Sequence, residues 1–227
     1  MVNVHLHGPQ WFLGTDASLE ALAALTAFFV AFAAYRIYRM TKEKKYAWFM
    51  TSFVLLTLSF LARAATDAIL EELVFKISPE VVEKIFYYGY VAHILLALIA
   101  YLVLIVVTHK ITDKRVIMLL LLTLVPSLLL SGSYYLSFYG LSTLFLAFVT
   151  LAYYQNYRKV RAITPCLVFI SFLLITLAQA QFLFDAVRQL FYVSAQITQA
   201  AGYLVLAIAL LAIRLKSNEK VKTRHRV

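Results

Sequence analysis

A chain of 227 residues that is 63% hydrophobic and 14% charged, with a mean hydropathy of +0.83, is too apolar for a water-soluble domain; its solvent is lipid. The formal charge of +10 does not indicate a nucleic-acid partner, because the basic residues gather between apolar runs, where they set topology. Cys166 is the only cysteine, which excludes an intramolecular disulfide.

Seven apolar runs are predicted to cross a bilayer as helices, which takes about 20 residues each: 17–38, 46–69, 86–108, 116–130, 134–157, 163–184 and 190–214. The fold class expected is therefore an all-α integral membrane protein, a single domain over 1–227. A polar tail precedes the first run and lacks a basic start, so no cleaved leader is expected. That tail carries "VHLHG", whose His5 and His7 have a spacing that suits a metal if a third ligand joins, with Asp16 or His93 as candidates. The simpler reading is two solvated imidazoles, with Asp16 of "GTDASLEAL" as helix N-cap of the first span. Further along, "ISPEVVEK" reads as a helix start, with Ser78 as N-cap, Pro79 at the first helical position and Glu80 on the positive end of the dipole.

Orientation follows from the loops. One side collects 17 lysines and arginines against three acids, the other four against eight. Short basic loops stay cytoplasmic, so the N-terminus is expected outside and the C-terminus inside a cell membrane. The basic segments "RIYRMTKEKK" and "RLKSNEKVKTRHRV" are suited to anionic lipid head groups, at roughly 1 kcal/mol per basic residue, or to a cytoplasmic protein partner.

An internal repeat appears at a shift of 119. "FVAFAAYRIYR" from Phe29 lies over "FVTLAYYQNYR" from Phe148, and "SFVLLTL" from Ser52 over "SFLLITL" from Ser171, giving eleven identities without a gap. After a loop six residues shorter, "GYVAHILLALIAY" from Gly89 falls over "GYLVLAIALLAIR" from Gly202. This predicts a parallel 3+1+3 bundle: repeat 1 over about 17–109, a linker helix over about 115–132, repeat 2 over about 134–214 and a basic tail at 215–227. The plan resembles that of the SWEET and PQ-loop carriers and, more distantly, the opsin and seven-helix receptor group. The "GPQ" at Gly8–Gln10 falls in the tail, so no PQ-loop motif carries over. The last span has no lysine for a retinal Schiff base, His93 is the one histidine inside a span where haem would need a pair, and spans 2 and 7 lack the histidines of seven-span zinc hydrolases. No cofactor is expected.

Polar residues within the spans carry the functional reading. Ser59, Arg63 and Asp67 form one stripe, and Gln181, Asp185 and Arg188 form another at i, i+4, i+7. Tyr90, His93, Gln179, Gln196 and Gln199 add to the same outer level. An ionised group facing lipid there costs on the order of 1–3 kcal/mol, so these stripes should turn inward. Two readings follow. In one, Arg63–Asp67 and Asp185–Arg188 are in-helix ion pairs that hold the bundle. In the other, Arg63, Asp67, Tyr90, His93, Gln179, Gln181, Asp185, Gln196 and Gln199 line an outward site for a small polar ligand. A receptor-like or accessory binding protein ranks first, a small-solute carrier second and a metal-dependent enzyme third, because only His5 and His7 hint at catalytic chemistry.

Overall fold

The computed structural model describes residues 9–12, 14–73, 78–129, 133–185 and 187–224. After a single 3-10 turn at Gln10–Phe12 come seven helices: α1 (Thr15–Thr41), α2 (Lys44–Leu73), α3 (Pro79–Thr108), α4 (Lys114–Leu129), α5 (Tyr134–Val160), α6 (Ile163–Phe182) and α7 (Leu190–Arg224). There are no strands among the described residues. Six of the helices are long and apolar enough to cross a membrane, which makes this a multi-pass protein by composition. The seventh, α4, is described over the 16 residues Lys114–Leu129, a rise of about 24 Å.

Consecutive helices pack side by side: α1 on α2, α2 on α3, α5 on α6 and α6 on α7. The ring closes where α7 meets α1 and where α3 meets α5, while α4 lies outside it and makes only slight contact with α3 and α5. Both closures are parallel. Asp16 and Glu20 of α1 meet Tyr192 and Gln196 of α7, and His93 and His109 at the middle and end of α3 meet Phe138 and Phe148 of α5. All of α1, α3, α5 and α7 thus begin at one end of the bundle.

Small residues set the spacing. Ala23, Ala24, Ala27, Ala31 and Ala34 line the buried face of α1, while Leu25, Phe28, Phe29 and Phe32 point out, as a lipid-facing surface requires. A Cβ on Gly89 would overlap the Thr66 side chain, so α3 approaches α2 there because the residue is glycine. A Cβ on Gly202 would sit 2.8 Å from Ile175 Cγ1 and 3.1 Å from backbone atoms of α6, which holds α7 equally close.

The helix ends correct two expectations. Asp16 is not the N-cap of α1. That position is Gly14, at φ 83°, a left-handed conformation suited to glycine. Asp16 lies in the first turn, where Oδ1 accepts from the Gly14 and Ala17 amides. At the start of α3, Ser78 does hold the cap position with Pro79 behind it, but its side chain makes no capping bond. The second correction concerns the stripe from Gln181 to Arg188. Helix α6 ends at Phe182, and the amides of Leu183, Phe184 and Asp185 donate to carbonyls three residues back. That tightening abandons the 3.6-residue period on which the stripe depended.

Candidate polar site at the bundle end

Arg63 on α2 is the one lysine or arginine among the described buried residues. Its helix position alone would pair it with Asp67, one turn on, yet Nε lies 3.8 Å from Asp67 Oδ2 and only 2.5 Å from Glu20 Oε1 on α1. Its Nη1 donates to Tyr139 Oη on α5 at 2.9 Å, and Nη2 donates to Tyr192 Oη on α7 at 3.1 Å. Every nitrogen of the guanidinium has a protein partner, and the partners come from four helices. The expected in-helix pair is the weaker contact because Glu20 reaches the Nε–H directly from the neighbouring helix.

The network continues through the acids. Tyr192 Oη donates to Asp16 Oδ2 at 3.3 Å, and Gln196 Nε2 donates to Glu20 Oε1 at 3.2 Å and to Tyr192 Oη at 3.4 Å. The Glu20 and Asp67 carboxyl groups are near enough to interact directly. Glu20 is fully buried, and its Oε2 has no partner among the described residues. Asp67 is 27% exposed at the side chain, which leaves this edge of the cluster open. Aromatic rings wall it: Tyr139 stacks on Phe182 with centroids 4.5 Å apart, Phe182 meets Tyr192 at 5.6 Å, and Phe12, from the turn before α1, packs on Tyr192 at 6.2 Å.

The other candidates fall into three neighbouring groups. His93 of α3 bonds to Ser59 of α2, whose Oγ lies 2.8 Å from Nδ1 and donates to the His93 carbonyl at 2.9 Å, leaving Nε2 without a partner among the described residues. Tyr90 stacks on Phe86 and its Oη is likewise unpartnered there. Gln179 Nε2 donates to Gln199 Oε1 at 2.8 Å, joining α6 to α7, and Gln179 Oε1 and Gln181 Oε1 are buried acceptors without a donor among the described residues. Asp185 is buried in the turn after α6 and accepts from Tyr135 Oη at 3.3 Å, while Arg188 is exposed. His5 and His7 lie outside the described residues.

Glu20, Tyr139, Tyr192 and Tyr135 were not among the residues singled out from the sequence. The repeat relates three of them to the N-terminal acids: carried back, the shift of 119 sets Glu20 over Tyr139 and Asp16 over Tyr135, while nothing in the repeat marks Tyr192. Chemically the arrangement offers acceptors and negative charge around a guanidinium that is already engaged. Comparison with protein-family models, with curated proteins and with solved structures finds no match, so the reading of this site rests on its geometry.

Proposed function

We propose that the chain is a seven-span membrane protein, with its N-terminus outside, that acts as a receptor-like or accessory binding protein through a polar site open to the outer face. The observation that carries this is the set of buried polar atoms without partners among the described residues, Glu20 Oε2, Tyr90 Oη, His93 Nε2, Gln179 Oε1 and Gln181 Oε1, in a bundle whose surroundings are apolar. A buried polar atom left unsatisfied costs about 1–3 kcal/mol, so several together in a bundle of this kind favour a site that a polar ligand completes.

The orientation rests on the basic excess, 17 residues against four, at the side where α2, α4 and α6 begin. The 3+1+3 duplication is supported by helix ends. Helices α1 and α5 are both 27 residues long and start 119 positions apart, as do α2 and α6. Their C-caps, Lys42 at φ 57° and Arg161 at φ 48°, are both left-handed and donate to the Tyr38 and Tyr157 carbonyls at the same shift. Ser52 and Ser171, Phe53 and Phe172, and Val30 and Val149 are buried in matching pairs.

The carrier reading draws on one specific observation. Arg63 ties the first triplet to the second through Tyr139 and Tyr192, and a carrier would break and remake such a clamp as its halves rock. Native mass spectrometry of gently extracted protein tests the binding proposal. A small-molecule adduct that is lost on Glu20→Gln supports it; the bare chain with lipid alone moves the function to the basic cytoplasmic face.

A further inference from the structure

We propose that the three corners at the basic end of the bundle bind the phosphates of anionic phospholipids, through Lys42, Lys110 and Arg161. Helices α1, α3 and α5 run the same way, so the corners that follow them, residues 36–45, 109–115 and 158–161, share one end of the molecule. It is the opposite end from the cluster around Arg63. The corners bring together eleven lysines and arginines, all exposed, against two acids. Both acids are already engaged: Glu43 pairs with Lys45, and Asp113 Oδ1 accepts from the Arg115 amide at 2.8 Å.

The backbone points to a use for these side chains. Lys42 at φ 57°, Lys110 at 54° and Arg161 at 48° are the non-glycine residues with a left-handed backbone among the described residues, and each closes the end of its helix. After α3 the Lys110 amide donates to the Val107 carbonyl and the Ile111 amide to the Val106 carbonyl, a helix ending in which glycine ordinarily fills the Lys110 position without strain. The chain does use glycine at a left-handed position elsewhere, at Gly14. A long cation kept three times where a Cβ is a cost implies that its charge is needed there. Attraction to the helix C-terminus does not explain it, since Arg39 already serves the last turn of α1, and Arg158 and Lys159 that of α5.

Depth selects lipid over a soluble acidic partner. Lys42 Nζ lies 6.0 Å from the centroid of the Tyr38 ring, Lys45 Nζ 4.8 Å from that of Tyr46 and Arg158 Cζ 6.0 Å from that of Tyr154. The exposed Trp48 follows Lys45 by about 4.5 Å along α2. Tyrosine and tryptophan so placed belong to the boundary between head groups and hydrocarbon, and cations held against them stand at the level of the lipid phosphates. A phosphate there takes charge-assisted bonds from lysine as a point charge and from Arg161 as a fork.

The test follows the thermal midpoint of the full-length protein in a neutral detergent as phosphatidylglycerol or phosphatidylcholine of the same acyl chains is added, with inorganic phosphate and a polyglutamate peptide as soluble anions. Phosphatidylglycerol should raise Tm saturably, by about 3–6 °C at ten times its apparent dissociation constant. It should bind at least about fivefold more tightly than phosphatidylcholine, the effect of a single basic residue near an anionic surface. The triple variant Lys42→Gly, Lys110→Gly, Arg161→Gly removes the side chains and relieves the backbone. Its Tm without lipid should therefore stay within about 2 °C of wild type, while the phosphatidylglycerol increment falls to about a third or less. Equal responses to the two lipids, or a triple variant that keeps the increment, overturn the proposal. An equal rise with phosphate or polyglutamate overturns it in favour of a soluble anion. A triple variant that loses more than about 5 °C without lipid overturns it too, by making these side chains supports of the fold. If the triple variant is not recovered, Lys110→Gly and Arg161→Gly decide singly: each should lose about a third of the increment, and full retention by both overturns the assignment.

Discussion

Replacing Arg63 with methionine keeps an unbranched apolar stem out to about the position of Nε and removes the charge and all of the donors. Glu20 Oε1, Tyr139 Oη and Tyr192 Oη each lose a charge-assisted bond, at 2.5, 2.9 and 3.1 Å, and three acids are left without a cation beside them. Charge-assisted bonds contribute about 1.5–3 kcal/mol apiece, but the guanidinium no longer has to be desolvated, so the net loss should match that of breaking a buried pair, about 3–5 kcal/mol. For a chain of this size that lowers Tm by about 6–20 °C. Glu20→Met should cost less, about 2–4 kcal/mol, because Asp67 at 3.8 Å partly replaces the lost partner. The double variant removes both charges, so it should be more stable than the sum of the singles by about 1–3 kcal/mol. The assay is thermal unfolding in detergent, followed by intrinsic fluorescence and checked for monodispersity. Single losses below about 1 kcal/mol that simply add would refute the network as the tie between the four helices.

Three further predictions follow from the fold. In a Cys166→Ala background, cysteines introduced at Glu72 and Lys222 should react with impermeant thiol reagents from outside and inside respectively; reaction of both from one side would refute seven spans. Gly89→Ala should destabilise by about 1–3 kcal/mol and be partly rescued by Thr66→Ala, whereas Gly202→Ala presses on backbone as well as on Ile175 and should resist rescue by shortening that side chain, both read from Tm. Gln179→Leu should strand Gln199 Oε1 and lower stability by about 1–3 kcal/mol, while Gln179→Leu with Gln199→Leu should recover much of it.

The helices were legible because the apolar runs are long and bounded by charge or, between 116–130 and 134–157, by the polar sequence SGS at 131–133, and α1, α2, α3, α5 and α7 begin within a few residues of an Asp, Lys, Pro, Tyr or Leu that hydropathy and capping rules pick out. The partner of Arg63 was not legible. Spacing within a helix favours Asp67, and nothing in a one-dimensional pattern tells that α1 turns Glu20 toward α2. Glu20 lies in "GTDASLEAL", where an acid so near a helix start reads as a dipole-favoured surface group. Tyr139 and Tyr192 lie near helix starts as well, where tyrosine usually belongs to the interfacial belt, so their hydroxyls gave no sign of facing a guanidinium. The turn after α6 was missed for a related reason: "FLFDAVRQLF" keeps a helical polar spacing even where the backbone has tightened to bonds three residues apart.

The access of Asp67 tests the outward-opening site most directly. Its side chain is 27% exposed beside the fully buried Glu20, so a cysteine put there in the Cys166→Ala background reports whether the cluster is reached, and from which face. Reaction with an impermeant thiol reagent from the outside only is the expected result. No reaction from either face, or reaction from the cytoplasmic face alone, would contradict a binding site open to the outside.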